Sequence, residues 1–149
     1  MKIEAVAAAL LFLLVTVNGA KKYERCELAK KLKNSGLDTY EGYKLGDWVC
    51  LVQHESGYRT DAVGKPNPDG SIDYGLFQIN SKYWCTDGKV KSHNGCKKDC
   101  KDFTNDNIDD DIDCAKRIVR DPQKMDAWAA WKKHCKGKDL SEYTRGCEL

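Results

Sequence analysis

Eight cysteines, Cys26, Cys50, Cys85, Cys96, Cys100, Cys114, Cys135 and Cys147, constrain this chain more than any other feature. All of them lie beyond a leader that reads as an export signal. The stretch MKIEAVAAALLFLLVTVNGA has a basic Lys2, an apolar run from Ala5 to Val17 and a small-residue end. Cleavage is expected after Ala20, so that residues 1–20 are the signal and residues 21–149 the mature domain. An even cysteine count in an exported chain implies four disulfides, and spacing alone leaves about 105 ways to pair them. Zinc would call for C-x-x-C pairs and clustered histidines; no such pair occurs, and His54, His93 and His134 are scattered. An uncleaved membrane anchor would need roughly 20 apolar residues, more than the leader supplies.

A chain of 149 residues with 41% hydrophobic content can bury one real core, arranged as one domain or as two lobes sharing a cleft. The net charge of +2 survives loss of the leader, which carries one charge of each sign, Lys2 and Glu4. Attraction to nucleic acid would be weak and salt-sensitive, and no basic-aromatic motif argues for it. No membrane association is expected once the signal is gone.

The pattern of apolar residues divides the mature chain. Cys26, Ala29 and Leu32 predict a short helix between Tyr23 and Gly36, stopped by Asn34-Ser35-Gly36. Leu45, Trp48, Val49 and Val52 recur at helical spacing and predict the most buried helix, from about Lys44 to Glu55. Between Thr60 and Asn80 the texture turns to Gly, Pro, Asn and Asp with short alternations, as in a small antiparallel sheet. Residues 81–104 read as a loop held by disulfides. Ile108, Ile112, Ala115, Ile118 and Val119 mark a third helix ending before Asp121-Pro122, and Met125, Ala127, Trp128, Ala130 and Trp131 a fourth. The expected class is therefore α+β, with a helical lobe of about 21–58 and 108–149 and a β-lobe of about 59–107. A ligand cleft is expected between them.

Two carboxylates in contrasting settings face that cleft. Glu55 ends the most buried helix, where partial desolvation raises a carboxyl pKa. Asp73 lies in SIDYGLFQIN, just after the turn Asn67-Pro68-Asp69-Gly70, on an expected antiparallel strand with polar neighbours. One carboxyl kept protonated and one left ionised is the pair that glycoside hydrolysis uses.

The segments HESGY, DGSIDYGLFQINSKYWC, DDDIDCAKRIV and DAWAAWKKHC, with the eight-cysteine spacing, resemble the C-type lysozymes, the family that also contains α-lactalbumin. The resemblance runs from Lys21 to Leu149. It implies the lysozyme fold and the pairings Cys26–Cys147, Cys50–Cys135, Cys85–Cys100 and Cys96–Cys114. It also implies a secreted, monomeric muramidase acting on peptidoglycan or chitooligosaccharide, with Glu55 as general acid and Asp73 as nucleophile or electrostatic stabiliser, and no cofactor for catalysis. By the same match Asn67, Gln78 and Asn80 are polar cleft residues and Tyr83 and Trp84 an aromatic platform for sugars. Asp121 is a rim carboxylate, and Ala127 and Trp128 form the acetamide pocket and the apolar wall beside the acid.

Singly, each residue has an ordinary explanation. Glu55 would be a surface glutamate, Asp73 a hairpin aspartate, Trp84 and Trp128 core aromatics, Asn67 a turn residue and Asp121 a helix-end residue. The constellation with the resemblance is what marks them. His54 reads as a substitution at the lobe edge. A non-catalytic relative, a glycan-binding protein or an α-lactalbumin-like modulator, is the competing function; such relatives usually lose one of the two carboxylates, and both stand here.

The run from Asp102 to Asp111 is rich in oxygen donors at the start of a helix. Asp109, Asp110 and Asp111 complement the positive end of the helix dipole, but their mutual repulsion would also be relieved by a hard cation. An EF-hand is excluded, because Asp110 stands at its glycine position and Lys116 at its glutamate. The run is similar to the calcium loop of α-lactalbumin and the calcium-binding lysozymes. That similarity implies structural calcium held by Asn105, Asp110 and Asp111 side chains and by the carbonyls of Asp102 and Asn107. Asn105 departs from the family's aspartate, so weaker binding is expected.

Overall fold

The computed structural model describes residues 19–149; the expected signal lies outside them except for its last two residues. Helix α1, Arg25–Asn34, begins where the Glu24 carboxylate accepts the backbone N–H groups of Cys26 and Glu27, which the first turn otherwise leaves unpaired. Helix α2, Leu45–Ser56, is apolar on most of its faces, and Trp48, Val49, Cys50, Leu51 and Val52 have no exposed surface. It is the axis of the helical lobe and packs against α1 and α4 (Ala129–His134). Helix α3, Asp109–Val119, buries Ile112, Ala115, Ile118 and Val119 on one stripe and carries Lys116 and Arg117 in its last turn, as the dipole favours.

The small antiparallel sheet expected between Thr60 and Asn80 has two short strands. SIDYGLFQIN is a hairpin and not one strand: β1, Asp73–Tyr74, pairs antiparallel with β2, Ile79–Asn80, in the register Asp73 to Asn80 and Tyr74 to Ile79. The turn between them is forced by a close approach. Gly75 has φ +78°, and a Cβ there would lie 2.0 Å from the Phe103 carbonyl oxygen. Only glycine admits that contact.

The expected fourth helix is also corrected. It is a 3₁₀ turn, Lys124–Ala127, followed by the short α4, with Trp128 extended between them at φ −100° and ψ 108°. That break aims the indole inward, where its N–H donates to the Phe77 carbonyl at 2.8 Å. Further 3₁₀ turns occupy Cys100–Thr104 and Ser141–Tyr143.

The disulfides pair as Cys26–Cys147, Cys50–Cys135, Cys85–Cys100 and Cys96–Cys114. Cys26–Cys147 ties the tail to α1, Cys50–Cys135 joins α2 to the end of α4, and Cys96–Cys114 fastens the loop region to α3. No helix among the described residues is long and apolar enough to cross a membrane.

Candidate active site

All ten cleft residues expected from the sequence line one depression of about 770 Å³ between the hairpin and the helices. Glu55 enters it from the last turn of α2, and Asp73 and Asn80 come from the paired ends of β1 and β2. Trp128 and Ala127 form the opposite wall. Tyr83 and Trp84 follow the hairpin, and Asp121 sits at the rim beyond α3.

The two carboxyls are held differently. Burial, and then the negative charge of Asp73, pushes the Glu55 carboxyl up to about 7. Trp128, only 4% exposed, makes the adjoining wall apolar, and its ring is edge-on to Trp48 at 6.3 Å. Asp73 instead lies among amide donors. The Asn80 Nδ2 donates to its Oδ1 at 2.9 Å, and the Asn67 Nδ2 approaches its Oδ2 at 3.5 Å. An ionised carboxylate only accepts hydrogen bonds, and both of these partners donate.

Ser71 and Asp69 support this arrangement, and the sequence does not single them out as functional. The buried Ser71 hydroxyl donates to Asp69 Oδ1 and accepts from the amides of Asn67 and Asn80, so one hydroxyl orients both groups that hold Asp73. The only sequence signal was the Asn67–Gly70 turn, closed by a Gly70 N–H to Asn67 carbonyl bond of 2.8 Å. Gln78 lines the cleft but spends its amide donors on the carbonyls of Ala62 and Gly75, so its hydrogen bonds brace the hairpin turn.

Tyr83 is 49% exposed, and the Arg117 guanidinium lies 5.4 Å from the Trp84 ring while pairing with Asp121 at 2.7 Å. His54 is not at the cleft. Its ring stacks on His134 at 4.2 Å between α2 and α4, and its Nε2 lies 3.3 Å from the Tyr143 hydroxyl.

At the start of α3, Asp111 is fully buried, and among the described residues no donor pairs with either carboxylate oxygen. Burial first, and then neighbouring Asp110, pushes its carboxyl up to about 9. The other oxygen-bearing side chains of the run are engaged locally: Asn105 accepts the N–H of Asn107, Asn107 that of Asp109, and Asp110 that of Asp111. Among the described residues no three His, Cys, Asp or Glu side chains converge. Any ion here would therefore depend on two carboxylates supplemented by the Asn105 amide and backbone carbonyls.

A model of the C-type lysozyme/alpha-lactalbumin family matches residues 21–147. Relatives include Lysozyme C, milk isozyme, of Canis lupus familiaris, 54% identical over 129 residues that cover 87% of this chain and 100% of that one. Lysozyme C-3 of Sus scrofa is 54% identical over 142 residues, covering 95% of each. Among solved structures, apo-type canine milk lysozyme superposes with a TM-score of 0.84 at 53% identity, and lysozyme from Equus asinus with 0.84 at 55%; each covers 87% of this chain and 100% of its own. With a family match over residues 21–147 and relatives more than half identical over most of their length, the chain belongs to the C-type lysozyme/alpha-lactalbumin family.

Proposed function

We propose that the protein is a secreted muramidase, a glycoside hydrolase that cuts the β-1,4 bond between N-acetylmuramic acid and N-acetylglucosamine in peptidoglycan with retention of configuration. The observation that carries this is the pair of carboxyls in one cleft, with Glu55 raised to about 7 beside a charged Asp73. Glu55, raised to about 7, keeps its proton in mildly acid solution and in part at neutral pH, and delivers it to the glycosidic oxygen as the bond to the sugar breaks. Positive charge then develops at the anomeric carbon, and Asp73, oriented by the Asn80 and Asn67 amides, meets it. The Glu55 carboxylate next takes a proton from water, which attacks the same carbon from the vacated side and releases the product. Chitooligosaccharide, which offers the same β-1,4 linkage, is the expected soluble substrate, and a monomer suffices because every catalytic group named comes from one chain. Four disulfides accord with an extracellular working place, in antibacterial defence or digestion.

The experiment is a cell-wall lysis assay paired with nuclear magnetic resonance of the first-formed anomer. Lysis that yields the β-anomer first, and that is lost in Glu55→Gln, is the expected result. Binding of chitooligosaccharide without cleavage would instead make the protein a glycan-binding member of the family.

A structural calcium ion is a second proposal, resting on the orphaned Asp111 carboxylate, for which a cation would be a partner. The side chains of Asn105, Asp110 and Asp111 and the carbonyls of Asp102 and Asn107 would hold it. Its chemistry would be charge neutralisation at the start of α3, remote from the bond that is cut.

A further inference from the structure

We infer that His93 is a positioning residue for saccharide binding, holding the Tyr83 ring as a preset platform at the cleft rim. The inference rests on the saccharide-binding reading of the cleft given above. The two rings lie nearly parallel, 9° apart in plane with centroids 5.9 Å apart, which is an offset stack. Tyr83 lines the cleft and His93 does not, so the imidazole stacks on the ring from outside the depression. Tyr83 is one of the few large apolar side chains among the described residues that are left exposed. An exposed ring with nothing behind it samples several rotamers, and ordering it on sugar binding lowers affinity.

The backbone that carries the imidazole is held in place by main-chain hydrogen bonds. The His93 N–H donates to the Lys82 carbonyl at 2.8 Å, the Gly95 N–H to the Tyr83 carbonyl at 2.8 Å and the Cys96 N–H to the Trp84 carbonyl at 2.9 Å. Residues 93–96 therefore run alongside residues 82–84, and the Cys85–Cys100 and Cys96–Cys114 disulfides fix both stretches. The same segment also supports the second ring of the platform. A Cβ on Gly95 would lie 2.7 Å from Trp84 Cε3, so glycine lets the backbone press flat against the indole. One short segment thus places an imidazole against Tyr83 and a bare backbone against Trp84. Lys82, whose ammonium lies 5.4 Å from the Tyr83 centroid, is anchored to Asp69 across 3.8 Å and adds a further restraint on the ring.

A platform residue contributes binding that is the same in ground and transition states, so losing its support raises KM and leaves kcat unchanged. The test compares the full-length secreted protein with His93→Ala and His93→Phe. It measures the dissociation constant for chitohexaose by tryptophan fluorescence, steady-state hydrolysis of the same sugar, and the melting temperature. His93→Ala should raise both the dissociation constant and KM by roughly three- to tenfold, with kcat and melting temperature unchanged. His93→Phe, which keeps a flat ring against Tyr83, should restore both to the parent values. Parent-like binding by His93→Ala overturns the inference, as does an equal loss in His93→Phe or a fall in kcat that accompanies the loss of binding. A parent protein that binds chitohexaose without cleaving it refutes the hydrolytic reading alone, and the binding titration still decides the role of His93.

Discussion

Glu55 shows how one residue's surroundings set its chemistry, and its titration yields two separate predictions. With a carboxyl at about 7, kcat/KM should fall roughly tenfold per pH unit above that value, as the proton donor is lost from the free enzyme. Glu55→Gln should cut turnover by at least about 10²-fold while chitohexaose binding persists, and a pH–rate profile of both proteins checks this. The same shift predicts a stability change of known sign. The unfolded carboxyl ionises near 4.5, the folded one near 7, so between those values the native state binds the extra proton and stability declines as pH rises. Below about 4.5 both forms are protonated and Glu55→Gln should match the parent. Above about 7 the variant should be the more stable by on the order of 3 kcal/mol, measured by urea unfolding at pH 4 and pH 8. Both carboxylates were legible in the sequence because one closes an apolar helical run and the other follows a turn. Ser71 was not, because its hydroxyl matters only once the hairpin register brings Asn67 and Asn80 to it.

At the scale of elements, periodicity located α1, α2 and α3 to within a few residues, since each buries a continuous stripe. It failed at the fourth helix. The spacing of Met125, Ala127, Trp128 and Trp131 fits an unbroken helix, but such a helix would not leave Trp128 in the extended conformation from which its indole reaches Phe77. A tertiary hydrogen bond across 51 residues of sequence outweighs local propensity there. Trp128→Phe keeps an apolar wall but removes the donor, leaving the Phe77 carbonyl unpaired. It should destabilise the fold by about 1–3 kcal/mol, read as a lower denaturation midpoint. Alternation in SIDYGLFQIN indicates antiparallel strand structure, but it cannot reveal that Gly75 must turn beneath the Phe103 carbonyl.

At the scale of the whole molecule, cysteine spacing left the pairing open, and the resemblance selected the four bridges found here. These bridges act mainly by restricting the unfolded chain, whereas an ion that binds only the folded chain would stabilise it by mass action. The start of α3 is where that second contribution would enter. Asp111 is buried beside the hairpin, since a Cβ on Gly75 would come within 3.0 Å of its Oδ2, so an ion that took up its unpartnered oxygens would strengthen the seam between the helical lobe and the β-lobe. If calcium binds there, the melting temperature of the whole protein should rise with added calcium and fall with chelator. At free calcium of about 100 times the dissociation constant the gain is roughly 2.7 kcal/mol, several degrees for a chain of this size. Asn105→Asp should shift the calcium response to lower concentration by adding a charged oxygen. Asp110→Ala should abolish the response while hydrolysis at low temperature persists, because the residue lies outside the cleft. A melting temperature indifferent to millimolar calcium in the parent and in Asn105→Asp alike would mean that the three aspartates serve only the dipole of α3, and that Asp111 is kept neutral by a proton in place of an ion.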